Sequence, residues 1–436
     1  MIRPPRLLVV FAGAAAAGAN ASSGPAPAAA TDPAALRACL AGVERELHDD
    51  ILPYWLQHAP DREHGGFVGE ISNDLVVKPD APRGALLSAR ILWTYAAAYE
   101  RSKDPAHLAM ARRAYEDLLN RFWDRENGGL YWSITAGGRP LNARKILYVQ
   151  AFGVYGLSEL RRATGDQAAL DRAIALYRII EARCHDHVHG GYFEEFTRDW
   201  TLEKNMRQSV MGGRALKSQN THLHLLEAYT NLLQVWPDPG LRQNLRELVD
   251  VMLTRIIDPA NHHLRLFLDA DWTPRSDTIS FGHDIEASRL LTEAAAVLGD
   301  PALTVRIRPV ALQMAQATLA EGVDTDGGLL SEAGPHGLTN PDKEWWQQAE
   351  ALTGFINAYQ MSGDPRFLQA SLHVWDFIAA HVIDRTHGEW YRLLARDDRV
   401  LSSDKISLWK CPYHNGRACL EMIDRLRSVL HLEHAD

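Results

Sequence analysis

Asp61-Arg62-Glu63-His64-Gly65-Gly66-Phe67, Asp124-Arg125-Glu126-Asn127-Gly128-Gly129-Leu130 and Asp186-His187-Val188-His189-Gly190-Gly191-Tyr192 are three copies of one turn. Each has an acid, polar residues, two glycines and a large apolar side chain, which is turn chemistry repeated at one period. A weaker copy, Asp258-Pro259-Ala260-Asn261-His262-His263-Leu264, and two further ones, Asp324-Thr325-Asp326-Gly327-Gly328-Leu329 and Asp384-Arg385-Thr386-His387-Gly388-Glu389-Trp390, extend the series to six units of about 60 to 70 residues. Between the turns, apolar residues recur at three- and four-residue spacing, predicting helices over Leu86 to Tyr99, His107 to Phe122, Val149 to Arg162 and Ala169 to Arg183. Phe67 to Ile71 and Tyr192 to Phe196 read as brief strands of the turn hairpins. Six helical hairpins close most economically into a ring with an inner and an outer layer: an all-α (α/α)6 barrel with short β-hairpin turns. An open solenoid is disfavoured, because polar end caps are not evident.

The 436 residues, 46% hydrophobic and 23% charged, have the balance of a globular chain. Cys39, Cys184, Cys411 and Cys419 are too few for a disulfide scaffold, and no Cys-x-x-Cys pair occurs. A formal charge of −9, with the basic residues dispersed, argues against nucleic-acid partners. Arg3 and Arg6 precede an apolar run from Leu7 to Ala19, with small residues at Ala19 and Ala21. Residues 1–21 therefore read as a secretory signal, too short for a retained membrane anchor. A Pro/Ala-rich linker over 22–35 leads into one barrel domain over 36–436. The protein is expected to be secreted or periplasmic if the signal is cleaved, cytoplasmic otherwise, and a monomer or weak dimer.

Residues at similar distances after equivalent turns should lie at one end of the inner helices and face a common funnel. The six units place there Arg90, then Tyr148, then Asn220 and His222, then His283 and Glu286, then Trp346 and Glu350, then His414. Glu286 follows His283 by three positions and Glu350 follows Trp346 by four, so each pair shares a helix face. Three histidines in one funnel suit proton transfer near neutral pH, because an imidazole titrates at about 6.5. The alternating His185, His187 and His189 and the adjacent His262 and His263 raise the question of a metal. They sit at the turn end of their units, where a solvated loop explains them, so no metal is expected. A Gly-rich phosphate loop and a Gly-x-Ser-x-Gly elbow are both lacking, which disfavours nucleotide cofactors and covalent hydrolysis. No cofactor is expected.

The segments Gly65-Gly66-Phe67, Ser88-Ala89-Arg90-Ile91-Leu92-Trp93, Asn220-Thr221-His222-Leu223-His224, Gly282-His283-Asp284-Ile285-Glu286-Ala287-Ser288, Glu344-Trp345-Trp346-Gln347-Gln348-Ala349-Glu350 and Trp409-Lys410-Cys411-Pro412-Tyr413-His414-Asn415-Gly416-Arg417 cover most of the chain after residue 40. On these segments the chain resembles the N-acylglucosamine 2-epimerase superfamily, and most closely its cellobiose 2-epimerase branch, with the Lys410 to Arg417 run the most specific. The resemblance implies an (α/α)6 barrel and cofactor-free inversion at C2 of a reducing-end sugar. It implies His283 and His414, from facing units, as the bases on opposing walls, and Arg90 and His222 as stabilisers of the enediol oxygens. Glu286 and Glu350 would bind hydroxyls and tune the histidines, Tyr148 and Asn220 would position the sugar, and Trp345 and Trp346 would line a stacking surface. The implied substrates are β-1,4-linked disaccharides, cellobiose and mannobiose foremost. The alternatives are a monosaccharide 2-epimerase or aldose–ketose isomerase, and a glycoside hydrolase using Glu286 and Glu350. One departure is Arg289, where the branch usually has Trp; it is expected to meet a second or acidic sugar unit, or to shift stacking to another aromatic.

Overall fold

The computed structural model describes residues 32–205, 209–210 and 215–432, so the expected signal and most of the expected linker lie outside the described residues. Outer and inner helices alternate along the chain. The outer α1 (Pro33–Arg45) continues through a wider π turn into α2 (Leu52–His58), and is followed by the inner α3 (Ala85–Ser102), outer α4 (Pro105–Asp117) and inner α5 (Leu147–Thr164). Then come outer α6 (Gln167–Arg183), inner α7 (Gln219–Val235), outer α8 (Pro239–Val251), inner α9 (Phe281–Leu298), outer α10 (Pro301–Glu321), inner α11 (Trp345–Ser362), outer α12 (Pro365–Phe377) and inner α13 (Tyr413–Val429). The first helix begins within the expected linker. Each inner helix packs on the next, and α13 packs on both α11 and α3, which closes the ring as an (α/α)6 barrel. Among the described residues, no helix is long and apolar enough to cross a membrane.

The two layers follow from two kinds of sequence. Inner helices bury nearly every position of their first three turns, as α3 does from Ala85 to Ala98, because neighbours enclose them on all sides. Outer helices bury one stripe, as α8 does with Leu241, Leu245, Leu248 and Val249. Most outer helices start on an Asp whose carboxylate caps the first turn and a Pro at N1, as at Asp104-Pro105 and Asp364-Pro365.

The expected hairpin strands are present but shorter than read: they are two residues long, Ile71–Ser72 and Glu195–Phe196, and each pairs both within its own unit, Ile71 with Val77 and Phe196 with Leu202, and with a neighbouring unit. The strand leading into each inner helix pairs antiparallel with the loop of the next unit: Arg83 with Ile134, Lys145 with Phe196, Lys217 with Leu268, Ile279 with Ala333 and Lys343 with Leu394. Ile406 of the last unit pairs with Ile71 of the first. The closed ring sets adjacent loops side by side, and a lone two-stranded hairpin is marginal in water, so pairing between units adds to the bridges within each one.

Buried cations hold these turns beneath the mouth. Lys217, just before α7, is fully buried and donates to Asp186 Oδ2 at 2.8 Å and to the carbonyls of Gly190 and Ala270, both at 2.7 Å. Asp61 with Arg83, Asp124 with Lys145 and Asp384 with Lys405 repeat the pairing. Gly191 in the same turn sits at φ +71°, and a Cβ there would meet Trp272 at 2.5 Å and His222 Nε2 at 2.8 Å, so only glycine fits. Replacing Lys217 by Met strands the Asp186 carboxylate in the interior, and we expect a loss of about 3–5 kcal/mol in urea unfolding. A loss below about 1 kcal/mol would show that the pair does not hold the turn.

Candidate active site

Inside the ring of strands, at the N-terminal ends of the inner helices, lies a cavity of about 230 Å³ lined by Arg90, Tyr148, Asn220, His224, His283, Glu286, Glu344, Trp345, Trp346, Arg392, Trp409 and His414. Eight of the ten residues singled out in the sequence are among them; His222 and Glu350 are not. Four polar atoms in its walls, Arg90 Nε, Asn220 Oδ1, Glu286 Oε2 and Trp345 Nε1, are buried without a protein partner among the described residues. Buried polar atoms are normally satisfied, so these are available to a ligand or to water inside the cavity.

His283 and His414 do not come from units across the ring. They come from α9 and α13, which flank α11, and Trp346 at the start of α11 sits between them, its ring centroid 4.6 Å from His283 and 5.7 Å from His414. Gly282 permits this approach, because a Cβ there would lie 2.8 Å from the Trp346 ring. His414 Nδ1 donates to Glu350 Oε1 at 2.7 Å, which leaves Nε2 as the available nitrogen, while His283 Nδ1 shares a hydrogen bond with the Ser280 hydroxyl at 2.8 Å. Burial pushes both imidazoles down to about 3, so both rest neutral at pH 7.

Behind the histidines runs a buried ionic cluster. Arg417 donates to Glu350 at 2.5 Å, to Glu286 at 3.3 Å and to Glu227. Burial opposes the charge on Glu350, but Arg417, the His414 hydrogen bond and Arg289 hold its carboxyl well below the usual range. Glu286 goes the other way: burial, then the adjacent Glu350 charge, push its carboxyl well above the usual range. Glu286, Glu350 and His414 bring three potential metal-ligand atoms within 4.8 Å of one another. The Arg417 guanidinium already bonds both carboxylates, so it supplies the positive charge there. Arg90 is different: its guanidinium donates to Tyr148 Oη at 2.6 Å, stands 4.3 Å from the centre of the Phe152 ring, and its Nε is unpartnered. Its charge faces the cavity with aromatic and hydroxyl neighbours in place of a paired acid.

His222 has a structural task. Its Nδ1 donates to the Ser218 carbonyl at 2.7 Å and its Nε2 accepts the Tyr192 backbone N–H at 3.0 Å, so both nitrogens are committed to the neutral form. Gln150 and Gln348 do the same in other units, accepting from the backbone N–H of Leu130 at 2.8 Å and of Leu329 at 2.7 Å. One lining residue missed in the sequence is His224; Glu344 and Arg392 are two more. Helix geometry contained the signal: positions 220 and 224 share a face, whereas 222 points about 200° away. His224 donates from Nδ1 to Glu227 Oε2 at 3.0 Å and packs edge-on to Tyr148. Trp409, in the loop before α13, was also missed. Arg289 meets no sugar site, because it is fully buried below Glu350 in the ionic cluster.

A substitution separates the two histidines. His222→Gln is expected to keep turnover within about 3-fold, since glutamine does this job twice elsewhere, whereas His224→Gln should lose about 100-fold. Burial lowers His222 to about 4 against about 6.5 unfolded, so the unfolded chain binds its proton first as pH falls. That stability is complete above about pH 6.5 and drains at about 1.4 kcal/mol per pH unit below it, down to the folded value. His222→Gln should therefore flatten the fall in Tm between pH 6.5 and 5; equal slopes would contradict the buried neutral imidazole.

A cavity that joins aromatic rings, neutral imidazoles, unpartnered polar atoms and a guanidinium without a carboxylate partner among the described residues has the groups to hold a sugar and move a proton. The chain belongs to the N-acylglucosamine 2-epimerase family, whose profile matches residues 65–418. It is 44% identical to cellobiose 2-epimerase of Bacteroides fragilis over 87% of this chain and 97% of that one, and 38% identical to that of Dictyoglomus turgidum over 90% and 100%. The structure superposes on cellobiose 2-epimerase from Bacillus thermoamylovorans with a TM-score of 0.85 at 38% identity, covering 89% of this chain and 100% of that one. The chain is thus a carbohydrate epimerase, an isomerase.

Proposed function

We propose that the protein inverts C2 of the reducing-end sugar of β-1,4-linked disaccharides, converting cellobiose to glucosyl-mannose or mannobiose to mannosyl-glucose, without a cofactor. The similarity to cellobiose 2-epimerases over nearly the whole chain carries the substrate class. The two neutral imidazoles on either side of Trp346 carry the chemistry.

In this reading His414 takes the anomeric hydroxyl proton as the ring opens, the ring oxygen being protonated from solvent at the mouth; Glu350 supports the imidazolium. His283 then removes the C2 proton, which the new aldehyde has acidified, giving an enediolate. Arg90, assisted by Tyr148, meets the developing oxygen charge. His414 returns its proton to the other face of C2. Ring closure gives a proton back to solvent and the His283 proton to the anomeric oxygen, so the balance closes, and in the reverse direction the histidines exchange roles. Asn220, Glu286 and Trp345 take sugar hydroxyls, Trp346 and Trp409 stack on the rings, and His224 acts from the wall across from His414.

Incubation with cellobiose in deuterated water, followed by NMR, tests this. Deuterium at C2 of a mannose-configured product is expected. A ketose product would favour isomerisation, free glucose would indicate hydrolysis, and unchanged cellobiose and mannobiose would remove the substrate class.

A further inference from the structure

We propose that Arg289 is a positioning residue for His414, acting through Glu350: its guanidinium fixes the carboxylate that holds the imidazole in its base-competent tautomer. The proposal rests on the reading of His414 as an acid–base group.

Arg289 lies on α9 with its side chain out of solvent. Its Nη2 donates to Glu350 Oε2 at 3.0 Å, and its Nη1 donates to Glu293 at 2.7 Å and to Glu421 at 3.1 Å. The other Glu350 oxygen, Oε1, accepts from His414 Nδ1 at 2.7 Å and from Arg417 at 2.5 Å. Each oxygen of Glu350 therefore has its own cation, and the carboxylate cannot rotate without breaking both contacts. Remove Arg289 and Oε2 is left in the interior without a donor, where an unpaired carboxylate oxygen is costly.

The consequence reaches His414 through a competition. Glu286 and Glu350 both accept from Arg417, and the charge on Glu350 opposes a second charge on Glu286 beside it. Arg289 donates to Glu350 as well, which favours the charge on Glu350. With Glu350 charged, His414 keeps its proton on Nδ1 and offers the Nε2 lone pair. With Glu350 protonated, the carboxyl donates to Nδ1 and the imidazole proton moves to Nε2, which can then no longer act as a base. The other titratable or charged groups around this network are Arg90 on α3, His224 and Glu227 on α7, His283 and Glu293 on α9, and Arg417, Glu421 and Arg425 on α13. None of the other cations donates to Glu350 Oε2 among the described residues, so none replaces Arg289.

The test is Arg289→Gln with Arg289→Lys beside it, read by kinetics on cellobiose and by ¹⁵N NMR of histidine-labelled protein. Arg289→Gln should lower kcat about 10-fold with KM within about 2-fold, and Arg289→Lys should recover most of the loss. In wild type at pH 7 the His414 signals should report Nδ1–H; in Arg289→Gln they should move towards Nε2–H. Should Arg289→Gln not fold, the double variant Arg289→Gln/Glu421→Gln removes a buried cation and an anion together and serves for the same readings. An unchanged His414 tautomer, or an unchanged kcat, overturns the proposal. Failure of the acid–base reading is separate: it would show as turnover surviving in His414→Ala, whereas the tautomer shift reports on Arg289 with no substrate present.

Discussion

Replacing either His283 or His414 by Ala is expected to lower 2-epimerisation by about 10³-fold, within the range a positioned acid or base contributes, while leaving the fold intact. The structure shows why folding survives. His283 has a single hydrogen bond, to Ser280, and lines a cavity, so its removal enlarges space already open to ligand. His414 leaves behind a Glu350 carboxylate still bonded to Arg417 and Arg289. Both losses should fall on kcat, since neither imidazole is a principal sugar-binding surface. Circular dichroism and Tm establish the fold, and the initial rate of C2 deuteration measures the chemistry. Either variant turning over within about ten-fold of wild type would refute the two-base assignment.

Arg90→Met should cost about 10²–10³-fold in kcat, the scale of a lost donor to a developing oxyanion, with stability unchanged or raised. The second half of that expectation is the discriminating one. Among the described residues no ion pair joins Arg90 to a carboxylate; its neighbours are Tyr148, Phe152, Cys411 and Tyr413. A buried cation of this kind is expensive to keep, and an apolar side chain of similar length removes the expense. In the proposed mechanism that expense is offset by the negative charge that arises during turnover. If Arg90→Met loses less than about ten-fold in kcat, or unfolds at markedly lower urea, Arg90 is a packing element instead.

Much of this protein was legible before any coordinates. Asp and paired glycines at one period, with helical spacing between, led to six hairpins, and the ring is their closed form. The predicted helices agree with the observed ones to within a few residues at most ends, because inner and outer faces are written in local sequence. Two further repeat signals were present and unread: the Asp-Pro starts of outer helices and the basic residue before each of several inner ones.

Counting residues from a turn fixes height along an inner helix, and that placed Arg90, Tyr148, Asn220, His283, Glu286, Trp346 and His414 at the mouth. Height does not fix azimuth: a two-residue step turned His222 to its own turn and left His224 in the cavity. Partnership was still less accessible, since Glu350 meets His414 across 64 positions and Arg417 meets Glu227 across 190. Local sequence thus determined the repeat, the layers and the level of the site, because these depend on periodicity within a unit. Only closure of the ring decided which side chains line the cavity, how the buried carboxyls share their cations and why Arg289 stands beneath Glu350, because those depend on charges from helices distant in sequence meeting where water is excluded.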